Sequence, residues 1–312
     1  MTFLTPRRAF QPTILKLCEI IHASFVDALE PFRPSTPMKI EELFLQENIL
    51  PTAPWVVQHL INSFHDEHLS TDELAHHIAL DPVLSINLLR LANSPYYRTS
   101  RQIGSVEAAV TLLGFVTVRT LVLTCSLVTS FKATPGLDLR QFWRYSLTTA
   151  VVGKWLAQRC GENPETAFTN GMLHGVGQLL MHLVMPAETA ILDKLVAPYA
   201  DHRLTAERDA FGYTHLYVSA ELFTRWKFPI TISTALQSAG QPFDPHTFDR
   251  QALILHLAAW AARACESSAG FAAARSKCPG QLVELLGLAP YALFDQMPSP
   301  TELKASMDEL IG

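Results

Sequence analysis

Helix boundaries are written into this chain at short intervals, and they leave little room for any other kind of structure. Ser70 and Glu73 have the spacing of a capping box, and Leu69 and Leu74 occupy the flanking hydrophobic-staple positions. Asp81-Pro82 pairs an N-cap residue with proline at the first helical position. Leu84, Leu88 and Leu91 then share one face, and Asn93-Ser94-Pro95 predicts the stop. Ser105 opens a short helix closed by Gly114, Asp138 with Gln141 opens a long one closed by Gly161, and Asn163-Pro164 opens the next, which carries His174. Near the N-terminus Ile14, Leu17, Cys18, Ile21 and Phe25 repeat with helical period, before a proline-rich linker at Pro31–Pro37. Val116–Ser130 is rich in Val and Thr and would permit a strand, but its length favours a buried helix. No convincing hairpin signal appears, so the expected fold is all-α.

Composition narrows the class further. The 312 residues, 48% hydrophobic and 17% charged, can bury a substantial core as one large domain or two smaller ones. A formal charge of −5 argues against non-specific nucleic-acid binding, and Arg7, Arg8, Arg98 and Arg101 are too sparse for a basic patch. No apolar run reaches the ~20 residues of a membrane span, and MTFLTPRRAF lacks the apolar core of a secretory signal. A cytoplasmic protein without membrane insertion is expected. Its five cysteines, Cys18, Cys125, Cys160, Cys265 and Cys278, are scattered without a CxxC and read as buried thiols.

Motifs of chemistry are scarce. There is no GxSxG, GxxxxGK[ST] or GxGxxG, and no cysteine in a catalytic setting. His65, His68, His76 and His77 cluster in sequence, but adjacent histidines on a helix point apart, and a solvated surface is the simpler account. The segment GMLHGVGQL at Gly171–Leu179 looks like half of a metal site. Imidazole and carboxylate from adjacent residues can enter one coordination sphere, but the residue after His174 is Gly175. His174 therefore reads as a hydrogen-bonded core histidine or as the lining of a pocket. Asn93, Ser94, Tyr96, Tyr97, Arg98 and Arg101 read either as a helix stop or as an interaction loop with exposed aromatics and arginines.

Six segments resemble one family: LPTAPWVVQHL at Leu50–Leu60, DPVLSINLLRLANSPYY at Asp81–Tyr97, IGSVEAAVTLLG at Ile103–Gly114, FWRYSL at Phe142–Leu147, GMLHGVGQL, and TRWKFP at Thr224–Pro229. Together they resemble the HDOD domain, a group of non-enzymatic relatives of the HD-superfamily metal phosphohydrolases found in bacterial signalling proteins. The most specific piece is LLRLANS followed by LLG. In the superfamily's catalytic members a first histidine, a His-Asp pair and a later aspartate hold the metal. By position these fall at Tyr145, at His174 and Gly175, and at Ala259, while a further His-His falls near Ala239-Gly240. Three of four ligand positions are empty of a ligand, where the loss of one supporting contact typically costs about 10–100-fold.

The resemblance implies a compact bundle in two helical halves, residues 45–135 and an HD-like half at 138–265. An extension at 1–42 precedes it. A tail at 266–312 carries small helices, Gln281–Leu288 and one through Leu303, Met307 and Leu310. It also implies a stand-alone regulatory protein, since no receiver or cyclic-dinucleotide domain fits in the first residues. The expected action is through contacts with other signalling proteins, with no catalytic residue, metal or cofactor. The alternatives are a phosphohydrolase or phosphodiesterase with atypical ligands, recruited from Asp193, Asp201, His202 and His215, or a nucleotide or cyclic-dinucleotide sensor without turnover.

Overall fold

The computed structural model describes residues 38–45, 70–80, 82–93, 102–131, 134–242, 244, 246–266, 278–289 and 297. The expected helix at Ile14–Phe25, the Pro31–Pro37 linker, Leu69, Asp81, His65, His68, the whole 94–101 loop and the last helix lie outside them. Among the described residues every regular element is a helix: α1 (Ile40–Phe44), α2 (Thr71–Ala79), α3 (Pro82–Ala92), α4 (Val106–Leu113), α5 (Phe115–Ser130), α6 (Leu139–Cys160), α7 (Pro164–Leu173), α8 (Val176–Val184), α9 (Pro186–Leu195), α10 (Arg203–Phe211), α11 (His215–Arg225), α12 (Ile230–Ala239), α13 (Arg250–Glu266) and α14 (Gly280–Leu285). The fold is all-α.

The local signals act where the sequence puts them. At the head of α2, Glu73 N–H donates to Ser70 Oγ (3.1 Å) and Ser70 N–H donates back to the Glu73 carboxylate (2.9 Å). Ser105, Asp138 and Asn163 accept from the first turns of α4, α6 and α7. Gly114 at φ +84° and Gly161 at φ +73° supply the left-handed backbone that other residues adopt with strain. The Val- and Thr-rich segment is helix α5. Its Thr120 and Thr124 hydroxyls donate to carbonyls one turn back, at 2.9 and 2.8 Å, which satisfies them inside a helix.

Two tight glycine contacts set the core. A Cβ on Gly171 would lie 2.4 Å from Ala150 Cα, so α7 meets α6 backbone to backbone. A Cβ on Gly177 would lie 2.2 Å from the His215 carbonyl oxygen, which joins α8 to α11 in the same way. Helix α6 is packed between α7 and α13, α12 closes against α11 and α13, and α2–α5 pack on one another and on α7.

One expectation needs correction. His174 is not inside a continuous helix: α7 ends at Leu173, His174 and Gly175 form a turn, and α8 starts at Val176. The reason is tertiary: the Ser219 hydroxyl on α11 takes the Gly177 N–H and the His174 carbonyl, two groups that would carry the helical ladder through the turn. Phe142 on α6 packs against the same turn, so closely that a Cβ at position 175 would lie 2.8 Å from its ring. Two smaller differences stand beside it. Helix α14 is shorter than Gln281–Leu288, and the described thiols of Cys160, Cys265 and Cys278 are half-buried rather than buried.

Candidate functional site: a polar cavity beside His174

The α7–α8 turn places His174 where three other stretches meet: Tyr145 from α6, the 198–202 connection with Arg203 at the head of α10, and the face of α13 that carries His256, Ala259 and Arg263. They enclose a cavity of about 50 Å³ lined by all four positions singled out in the sequence, Tyr145, His174, Gly175 and Ala259, and also by Ala239. Its wall is aromatic on one side. The Tyr145 ring meets His174 edge-on at 5.2 Å and tilts against Tyr199 at 5.0 Å. Tyr145 is thus a buried core residue and a cavity wall at once.

His174 is buried, and its Nδ1–H donates to the Gly171 carbonyl at 2.7 Å. Burial pushes its pKa down to about 3, and His215 and Arg263 add to that effect. The ring is therefore neutral at physiological pH, and its Nε2 lone pair has no hydrogen-bond partner. Ser219 fixes the turn behind it by accepting from Gly177 N–H (2.7 Å) and donating to the His174 carbonyl (2.6 Å).

The opposite wall is charged. Arg203, 2% exposed, donates from Nε to Glu207 (2.9 Å) and from Nη1 to Asp193 (2.7 Å) and the Val196 carbonyl (2.7 Å). Its Nη2 is unpaired. Glu207 also accepts from His215 N–H (2.8 Å) and Nδ1 (2.7 Å). Burial alone would push the Glu207 carboxyl up, but His215 and Arg203 outweigh it and hold the pKa at about 2. Arg263 bridges Asp201 (3.1 Å) and the Tyr145 hydroxyl (3.2 Å). Burial pushes the Tyr199 hydroxyl above its ordinary value, so it stays protonated, and its oxygen too has no partner.

Does this set of residues fit a metal? Of the four superfamily positions only His174 offers a ligand atom, because Ala259 and Gly175 have none and the Tyr145 hydroxyl accepts from Arg263. The recruits named from sequence are engaged elsewhere: Asp193 with Arg203 and His182, Asp201 with Arg263, His215 with Glu207. His202 is exposed at the head of α10 and does not line the cavity. His256 lines it, with Nδ1 at 3.1 Å from the Ala239 carbonyl. Among the described residues no group of three or more His, Cys, Asp or Glu is arranged to hold a metal ion. The residues present do not fit one.

Sequence reasoning missed Tyr199, Arg203, Glu207, His256 and Arg263. A partial signal existed: His256, Ala259 and Arg263 sit at i, i+3 and i+7, one face of a helix. Of the candidate interaction loop, Ser94, Tyr96, Tyr97, Arg98 and Arg101 lie outside the described residues. Asn93 uses its amide internally, donating to the Leu89 and Ile103 carbonyls and accepting from Ile103 N–H, each at 2.8 Å. It ties the end of α3 to the strand-like approach to α4, a structural role. His76 is exposed, as a solvated surface requires. No single helix among the described residues is long and apolar enough to cross a membrane.

Comparison with known proteins agrees with this geometry. The HDOD domain family model matches residues 50–242. A presumed phosphohydrolase of Shewanella amazonensis SB2B is similar at 28% identity and a TM-score of 0.69, over 86% of this chain and 97% of that one. An HDOD domain protein of Geobacter sulfurreducens, of unknown function, is similar at 25% identity and a TM-score of 0.67, over 94% and 99%. A presumed signal-transduction protein of Marinobacter aquaeolei VT8 shares the fold at 21% identity and a TM-score of 0.63, over 93% and 65%. No curated protein matches. With the family model covering more than half of its length, the chain belongs to the HDOD domain family.

Proposed function

We propose that this protein is a non-catalytic, cytoplasmic module of bacterial signal transduction that regulates by contact with other signalling proteins. The observation that carries this reading is the cavity beside His174. Its four superfamily positions supply one imidazole, a phenol already bound by an arginine, and two residues without a ligand atom. Hydrolysis of a phosphate ester in this superfamily needs a metal to lower the pKa of an attacking water, and one neutral imidazole is too little to hold it. The name of the Shewanella relative keeps hydrolysis with atypical ligands as the alternative, and the engagement of Asp193, Asp201 and His215 in ion pairs weighs against it. A nucleotide ligand has less support, since a cavity of about 50 Å³ holds roughly three or four waters.

The test is elemental analysis of purified protein after incubation with manganese or ferrous iron, joined to assays on a phosphodiester chromogen and on cyclic dinucleotides. No stoichiometric metal and no turnover are expected. Metal at one ion per chain together with turnover would overturn the proposal. Capture of signalling proteins by the tagged full chain, lost when its surface is altered and kept when His174 is replaced, supports the contact mechanism.

A further inference from the structure

Three residues lining the cavity each carry a buried polar atom with no hydrogen-bond partner: His174 Nε2, Tyr199 OH and Arg203 Nη2. Protein interiors rarely leave such groups unpaired, and three around one small space point to something that pairs them. The three differ in chemistry. Because Nδ1–H of His174 is committed to the Gly171 carbonyl, its Nε2 can only accept. Arg203 Nη2 can only donate, and the Tyr199 hydroxyl can do either. The complementary ligand therefore carries a donor and an acceptor on neighbouring atoms.

Shape and charge narrow it further. The wall formed by Tyr145, Tyr199 and His174 is made of flat rings, which favour a planar guest. Both arginines are already matched, Arg203 by Asp193 and Glu207 and Arg263 by Asp201, so no surplus cation draws an anion inward. The volume of about 50 Å³ is well below the ~150 Å³ that holds benzene.

We infer that this cavity is a binding site for a small, neutral, planar amide or urea-type molecule of about three to five non-hydrogen atoms. Its carbonyl oxygen accepts from Arg203 Nη2 and the Tyr199 hydroxyl, and its N–H donates to His174 Nε2. Access is from the side of Asp201, which is 77% exposed. The site gives a contact-driven regulator an input of its own. The inference rests on reading the cavity as free of a resident metal.

The experiment uses full-length, chelator-treated protein carrying ¹⁵N-histidine, with the His174 ring resonances followed during titration with acetamide and, separately, with sodium acetate at pH 7.5. Acetamide is expected to shift them saturably with a Kd of about 1 mM, the strength that four well-placed atoms reach. Acetate, which lacks a donor for Nε2 and adds charge beside Glu207, is expected to leave them in place. Tyr199→Phe removes one partner without touching the ion pairs and should raise the acetamide Kd about tenfold. No saturable shift, tighter binding of acetate than of acetamide, or an unchanged Kd in Tyr199→Phe would each overturn the assignment. A manganese titration of the same protein separates the two readings: paramagnetic broadening centred on His174 would remove the metal-free reading, while acetamide binding is still scored on the chelated sample.

Discussion

Two polar regions lie within this bundle, a part-buried seam and a buried cavity, and they are finished to different degrees. In the seam between α5 and α7, the Thr117 hydroxyl donates to Glu165 (2.6 Å), Lys154 reaches both of them (3.1 and 2.6 Å), and Thr120 meets Thr169 (2.8 Å). None of these five side chains keeps a buried unpaired atom. The cavity beside His174 has more charge and stronger pairs, yet three of its polar atoms are left over. In the seam, short hydroxyls on facing helices pair with each other or with a Lys-Glu pair that still reaches water. Long side chains converging from several elements satisfy their charges first and leave spare capacity pointing at a space. The seam is adhesive, and the cavity is a site.

The contrast can be broken by substitution. The largest effect is expected at Glu207, which is fully buried and accepts from Arg203 and from His215 twice. Glu207→Ala leaves a buried guanidinium short of its partner and should lower the unfolding free energy by about 3–5 kcal/mol, read from the urea midpoint.

Acid comes next. His174 has a folded pKa of about 3 against an ordinary 6.5, so below pH 6.5 the unfolded chain binds a proton that the native one refuses. The stability tied to the neutral ring is complete above pH 6.5 and is lost progressively toward pH 3. Between pH 7.5 and 5 this amounts to about 2 kcal/mol, and His174→Gln should flatten that part of the profile measured by denaturant titration. The lowered Glu207 pKa acts from about pH 4.5 toward 2, so the stretch between pH 6.5 and 5 is free of it.

In the seam, Thr120→Val removes a paired hydroxyl and strands Thr169 in part, at about 1 kcal/mol in thermal unfolding. The smallest effect sharpens the comparison most. Tyr199→Phe removes a hydroxyl that has no partner in the protein, so stability in ligand-free buffer should move by no more than ~0.5 kcal/mol. A loss as large as that of Thr120→Val would show that the cavity is as finished as the seam.

Legibility in the sequence follows the range of the interactions. The caps at Ser70, Ser105, Asp138 and Asn163 act over three residues, and all four are where the sequence predicts. Helix α5 was ambiguous because β-branched residues suit strands, and it resolves through backbone hydrogen bonds its threonines make one turn back. The break at His174–Gly175 is not legible, because the backbone groups there are taken by Ser219, more than forty positions later. At the site, His174 and Gly175 stand out in GMLHGVGQL on their own, Tyr145 and Ala259 are reached only through the resemblance, and the structure gathers all four around one cavity. Tyr199 carries no signal, since a connection between helices has no period to read, and Arg203, the first residue of α10, is marked only by its i, i+4 spacing to Glu207.

The Phe142 ring against Gly175 also bears on whether a metal site could be built here. On the proposed reading, position 175 is where the superfamily's catalytic members carry the aspartate of the His-Asp pair, and here an aromatic ring lies 2.8 Å from where a Cβ would start. An aspartate placed there by itself would collide with that ring rather than complete a ligand pair with His174. Phe142 is itself buried in the core, so making room for the carboxylate means displacing or shrinking a packed ring, with the cost of the hole that leaves. On the proposed reading, the packing of one aromatic ring thus keeps a His-Asp pair out of reach of a single substitution.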